Sequence, residues 1–164
     1  MSNISIIEQL SHAKKSHLLW VEKANYLISS SADDKEFIPF NSTECGLGVW
    51  LNVEGKKLYH IQTLRRLIDK IEEQHNKLHN IYLNIYQISF IMPKQKSFLQ
   101  KFFNVNSKIE NQEVKEATAL HMDDIQQSSE KLLNLLEILE QKIKEFASEK
   151  IEIYSQMRTL KTAS

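Results

Sequence analysis

His17, Cys45, His75 and His79 combine side-chain type and spacing in a way that suits a metal. His17 and His75 each occupy a position in an apolar stripe where leucine is expected, and a buried imidazole is costly unless its nitrogens find partners. His79 follows His75 by four residues, which places both rings on one helical face. His-x-x-x-His at that spacing is a two-point clamp for a borderline-soft metal. Cys45 reads as part of the first turn of a capped short helix, where unpaired N–H groups and the helix dipole favour thiolate, the form that binds metal. Gly46 and Gly48 follow it in Cys45-Gly46-Leu47-Gly48-Val49-Trp50-Leu51. Glycine weakens a helix, so two in one short helix point to a close approach to a neighbouring helix. Three imidazoles and one thiolate fill a tetrahedral zinc and leave no position for substrate, a structural or sensory arrangement rather than a hydrolytic one. The residues alone leave a second reading open, in which His17 and His75 are satisfied core histidines and Cys45 is a small buried hydrophobe.

Such a site has to be positioned by helices, and the pattern supplies them. Ile6, Leu10, Ala13, His17, Trp20, Ala24 and Leu27 alternate steps of four and three, one amphipathic stripe. Residues 29 to 41 lose the period and read as a solvated loop broken by Pro39. Asn41 or Ser42 is the expected cap of a short second helix, with Glu44 completing a capping box after Asn41 and the helix ending near Gly55. A third helix is expected from about 57 to 90, with Leu64, Ile68, Ile71, His75, Leu78, Tyr82 and Ile85 as its stripe and Pro93 beyond it. Residues 93 to 108, with Phe98, Leu99, Phe102 and Phe103, read as a connection packing on the end of the bundle.

The last helix is expected from about 110 to 160. Ile125, Leu132, Leu139, Phe146, Ile153 and Leu160 recur every seven residues, and Ser129, Leu136, Ile143, Lys150 and Met157 follow four later. That is a coiled-coil seam of about five heptads. Leu133, Leu135, Ile138, Ile151 and Tyr154 widen it, so the helix is expected to serve both an intrachain bundle and a parallel homodimer, with Lys150 helping to fix register. The fold class expected is all-α, a four-helix-type bundle with a long C-terminal coiled-coil helix. It forms a single domain over 1–164, with a metal-binding core at about 5–90 and a stem at about 110–160.

Composition agrees. The 164 residues suffice for one core without disulfides. Three glycines and two prolines are too few for a sandwich or barrel. Lys plus Arg and Asp plus Glu are 21 each, which argues against the basic face that nucleic acid requires. No apolar run approaches the roughly 20 residues that span a bilayer, and the N-terminus lacks a secretory signal. With one cysteine there is no internal disulfide, and a cytoplasmic location is expected.

His17-Leu18-Leu19-Trp20, then Cys45-Gly46-Leu47-Gly48-Val49-Trp50-Leu51, then His75-Asn76-Lys77-Leu78-His79 resemble, in order, the three motifs of the CZB family of zinc-binding domains first named in bacterial chemoreceptors. The resemblance runs from about residue 10 to 86. It implies a helical bundle, usually a two-fold dimer, with zinc held by His17, Cys45, His75 and His79. It also implies attachment to a chemoreceptor or to a diguanylate cyclase of the GGDEF class, or an independent existence. The stretch between His79 and the last helix is longer than in short members of the family. Trp20 and Trp50 are expected to wall the site, while His12, His60 and His121 match no motif.

No nucleophile with a base at a recognisable spacing, no glycine-rich phosphate loop and no GGDEF-type segment is present, so a non-enzymatic sensor is expected. An N-terminal metal core leading into a long stem most resembles the regulatory domain of zinc-regulated diguanylate cyclases. A stand-alone CZB protein with structural zinc, acting as an interaction module, is the alternative. A hemerythrin-like di-iron bundle fits poorly, because it needs carboxylates and a His-x-x-x-Glu pair, and the residue four after His17 is Val21.

Overall fold

The structure, a computed structural model, describes residues 3–29, 38–87 and 108–162, with side chains over 6–27, 38–87 and 122–149. It is all-α: α1 spans Asn3–Ser29, α2 Gly46–Val53, α3 Gln62–Tyr86 and α4 Lys108–Thr162, with a 3-10 turn at Gly55–Leu58. Among the described residues there is no strand. Residues 93 to 107 of the expected connection at 93 to 108, the expected end of the third helix at 88 to 90 and the side chains of His121, Lys150, Ile151, Ile153, Tyr154, Met157 and Leu160 lie outside the description, as does most of the expected loop at 29 to 41.

The stripes read from the sequence are the buried faces. Ile6, Leu10, Ala13, His17, Trp20, Ala24 and Leu27 of α1 are all buried, as are Leu64, Ile68, Ile71, His75, Leu78, Tyr82 and Ile85 of α3. The helices run with α1 and α3 parallel, since His17 meets His75 and, a turn further on, Trp20 meets His79 and Tyr82. α4 runs antiparallel to α1, because Lys14 pairs with Glu140 while His17 pairs with Ser129.

Two boundaries differ from expectation. α3 begins at Gln62, not 57, because Gly55–Leu58 forms a 3-10 turn and Ile61 is an extended cap residue without a side-chain acceptor. The start of α2 is capped by Cys45, not by Asn41 or Ser42. Asn41 instead closes the preceding turn, its Oδ1 accepting from Thr43 N at 3.0 Å and its carbonyl from Glu44 N at 3.1 Å. A short polar side chain that can bond its own backbone two residues on builds a turn as readily as a cap.

The described part of the α4 seam takes the first of its two expected uses, the intrachain bundle. Ile125, Ser129, Leu132, Leu136, Leu139 and Ile143 are buried against α1 and α3 within one chain. These residues therefore form the fourth wall of the bundle. Of the residues that widen it, Leu133 and Leu135 are half-buried and Ile138 is 47% exposed.

Candidate metal centre

Two elements, the start of α2 and the middle of α3, bring ligand atoms together. Cys45, His75 and His79 each place one donor atom within 4.8 Å of the others, and all three residues are buried. α3 supplies the two histidines one turn apart, their ring centroids 4.7 Å from each other. Cys45 arrives from the N-cap of α2, its Sγ 3.1 Å from His75 Nε2.

The glycines explain how the short helix reaches this position. A Cβ on Gly48 would fall 1.8 Å from the Ser42 carbonyl oxygen, so the turn entering α2 folds back onto a residue that has no side chain. Gly48 N in turn donates to Cys45 Sγ at 3.4 Å. A Cβ on Gly46 would meet Ser16 Cβ at 2.6 Å, so α2 presses directly on α1. The close approach to a neighbouring helix holds for Gly46, whereas Gly48 accommodates the preceding loop.

The imidazoles are neutral and arranged to accept a cation. His79 Nδ1 lies 3.0 Å from the Phe40 carbonyl oxygen, which can only accept, so the proton sits on Nδ1. His79 Nε2 is then a buried lone pair with no partner. Trp20 packs against that ring at 4.2 Å between centroids, tilted by 35°, and its Nε1 donates to the Pro39 carbonyl at 3.1 Å, which fixes the wall. Burial lowers His75 to about 3 and His17 to about 4, assisted by the neighbouring histidines, and burial also lowers His79. Four buried donor residues with so little charge of their own are unusual in a bundle core, because unpaired polar atoms there are costly.

Burial also pushes the Cys45 thiol up, against the expectation that the helix N-terminus favours thiolate. The backbone N–H groups act in the expected direction, but loss of water outweighs them. The thiol instead donates to the Ser42 carbonyl at 3.4 Å.

His17 stands beside the cluster rather than within its 4.8 Å limit. Its ring centroid is 6.3 Å from that of His75, its Nε2 is 3.1 Å from Ser129 Oγ, and its Nδ1 is buried with no partner. Trp50 lies elsewhere: it is buried over Gly55 and faces the groove between α1 and α2. His12 and His60 are exposed. Sequence reasoning missed Ser129 and the Phe40 carbonyl. Ser129 had a signal, a hydroxyl in a stripe of Ile and Leu; a backbone carbonyl has none.

Residues 17–86 match the family model described as the chemoreceptor zinc-binding domain, CZB. The match contains all four histidine and cysteine positions named above and both tryptophans, and it supports the CZB family. No curated protein and no solved structure matches the chain. The metal of such a domain is zinc, and the geometry fits it. Donors on a tetrahedral zinc lie about 3.3–3.7 Å apart, given metal–ligand distances of about 2.0–2.3 Å. The observed cluster, with its partnerless His79 Nε2, needs only small side-chain adjustments to meet that spacing. Among the described residues no carboxylate joins the cluster, as a di-iron centre would require.

Proposed function

We propose that the chain is a zinc-dependent regulatory domain in bacterial signal transduction, with His17, Cys45, His75 and His79 as a closed ligand set and no catalytic role. The observation that carries this reading is the convergence of Cys45, His75 and His79 on a buried, partnerless imidazole nitrogen inside a CZB match. His17 is the fourth ligand because its Nδ1 is the other buried imidazole nitrogen without a partner. Zinc would supply a positive charge that compensates the desolvated nitrogens and holds Cys45 as thiolate. The chain's own residues do the rest: Phe40 sets the His79 tautomer, Trp20 covers the ring, and the α2 glycines let Cys45 approach.

Occupancy fixes α2 against α1 and α3, and its loss frees it. The change passes to α4 through the packed core and on to a fused or separate output such as a diguanylate cyclase or chemotaxis receptor. Oxidation of Cys45 by a peroxide, giving sulfenic acid and water, would release the same constraint. No described helix is long and apolar enough to cross a membrane, and we place the domain in the cytoplasm. Leu18, Leu19, Tyr26, Val49 and Val53 are exposed on α1 and α2 and support a homodimer, with the part of α4 beyond 149 as its parallel stem.

Metal analysis of purified protein tests this reading, with about one zinc per chain expected. The His75→Ala, His79→Ala double variant should lose the metal and Cys45→Ala should bind it more weakly. Full retention in the double variant would overturn the assignment.

A further inference from the structure

Six polar or charged residues are buried among the described side chains: His17, Glu54, His75, His79, Ser128 and Ser129. Three are the histidines of the centre. Two, Ser128 and Ser129, are adjacent on α4, in a stretch whose other buried positions are Ile125, Leu132 and Leu136. Each is gripped by a different partner. Gln74, the residue before His75, donates from Nε2 to Ser128 Oγ at 2.6 Å and to its carbonyl at 3.3 Å. Ser129 Oγ lies 3.1 Å from His17 Nε2, a contact between residues 112 apart in sequence.

Either proton placement on the His17 ring leaves Nδ1 without a partner, but only one leaves it able to meet a cation. If Nε2 accepted from Ser129, the proton would sit on Nδ1, and a buried N–H donor would face no acceptor. With the proton on Nε2 donated to Ser129 Oγ, Nδ1 is left as a lone pair. A lone pair without a partner is costly in a dry core and useful only if a cation meets it. Metal-bound histidines characteristically donate their second N–H to an outer partner that fixes ring and tautomer. Phe40 plays that part for His79 with a carbonyl, and Ser129 plays it for His17 with a hydroxyl.

We infer that Ser129 is the positioning residue for His17: it holds the ring so that Nδ1 is the zinc donor, and thereby ties α4 to the occupied site. This rests on the zinc reading above and adds to it the atom through which the site reaches the last helix. It also explains the break in the heptad pattern. An alkyl side chain at 129 would leave His17 Nε2–H without an acceptor. Ser128 Oγ is held by Gln74, whereas the hydroxyl beside His17 Nε2 is that of Ser129, so Ser128 is the matched control one residue away.

The test compares Ser129→Ala, Ser129→Thr and Ser128→Ala with the unaltered chain. Zinc affinity is read by competition with a chromophoric chelator, and the ligand field by the visible spectrum of the cobalt(II) form. Ser129→Ala should weaken zinc by about 10- to 100-fold, the usual cost of losing such an outer partner, and should shift the cobalt bands. Ser129→Thr, which keeps the hydroxyl, should restore both, and Ser128→Ala should leave the cobalt spectrum unchanged. Zinc should slow hydrogen exchange around 125–136 in the unaltered chain and in Ser128→Ala, but not in Ser129→Ala. Unaltered affinity and spectrum in Ser129→Ala would overturn the proposal, as would equal losses in the two alanine variants. Nitrogen-15 NMR of the zinc-loaded, unaltered chain needs no variant: a proton on His17 Nε2 supports the proposal and a proton on Nδ1 overturns it. Failure of the unaltered chain to bind zinc would instead remove the parent reading, and this one with it.

Discussion

The bundle has two layers that are equally dry and held by different forces. Toward the N-terminal ends of α1 and α3 lie Ile6, Leu10, Leu64, Ile68 and Ile71, facing Leu136, Leu139 and Ile143 of α4. Every one of these gains from leaving water, by roughly 1.5–3 kcal/mol for each large side chain. A turn or two further along come His17, His75, His79, Cys45, Ser128 and Ser129, which gain little from burial and leave His17 Nδ1 and His79 Nε2 unpartnered. The first layer folds because its residues are apolar. The second is carried by the first and by the aromatic wall of Trp20, Phe40 and Tyr82. A polar layer built on an apolar one can change state without unfolding the whole, which is what a sensing domain requires.

The contrast should be sharpest on metal removal. Structural zinc contributes on the order of 10 kcal/mol, all of it in the polar layer. Hydrogen exchange with and without chelator should show fast exchange over residues 40 to 55 in the metal-free protein and a smaller change beyond Leu132, with Leu64–Ile71 still protected. Uniform loss of protection across both layers would end the two-layer description.

Acid should act on the same layer in the metal-free protein. His17 and His75 have pKa values held at about 4 and about 3, against about 6.5 when unfolded, because burial opposes their charge. Below pH 6.5 the unfolded chain therefore takes up protons that the folded chain refuses. Each such histidine costs up to about 1.4 kcal/mol per pH unit. Stability should be level above about pH 7 and fall from pH 6.5 toward 4, read as the urea midpoint. A level profile down to pH 5 would mean that these rings are not buried and neutral.

The smallest effect should come from the apolar layer, and it should ignore zinc. Leu136→Ala removes a fully buried side chain, at a typical cost of 2–5 kcal/mol. The loss of stability should be the same with zinc present or chelated, while zinc stoichiometry stays unchanged. A variant that lost zinc selectively would show the layers to be coupled more tightly than their composition suggests.

Sequence by itself determined the helices, their buried faces and the candidate donors, of which Cys45, His75 and His79 come together in the fold. A 3.6-residue period in polarity is a local property, so the stripes of α1 and α3 could be read residue by residue, and His17 and His75 stood out because they interrupt them. The His75–His79 pair was legible for the same reason, since one helix fixes its geometry. What lay beyond reach depended on which helix meets which. The heptads of α4 looked the same whether they faced another chain or their own, and only the packing of Ile125, Leu132 and Leu136 against α1 and α3 assigned them to the bundle. The desolvation of Cys45 could not be read, because a helix N-terminus is visible in sequence and loss of water is not. The Phe40 carbonyl and the Ser129 hydroxyl became outer partners of histidines 39 and 112 residues away through tertiary contact alone. Polarity at a position is written in the residue, but the partner that satisfies it is chosen by the fold.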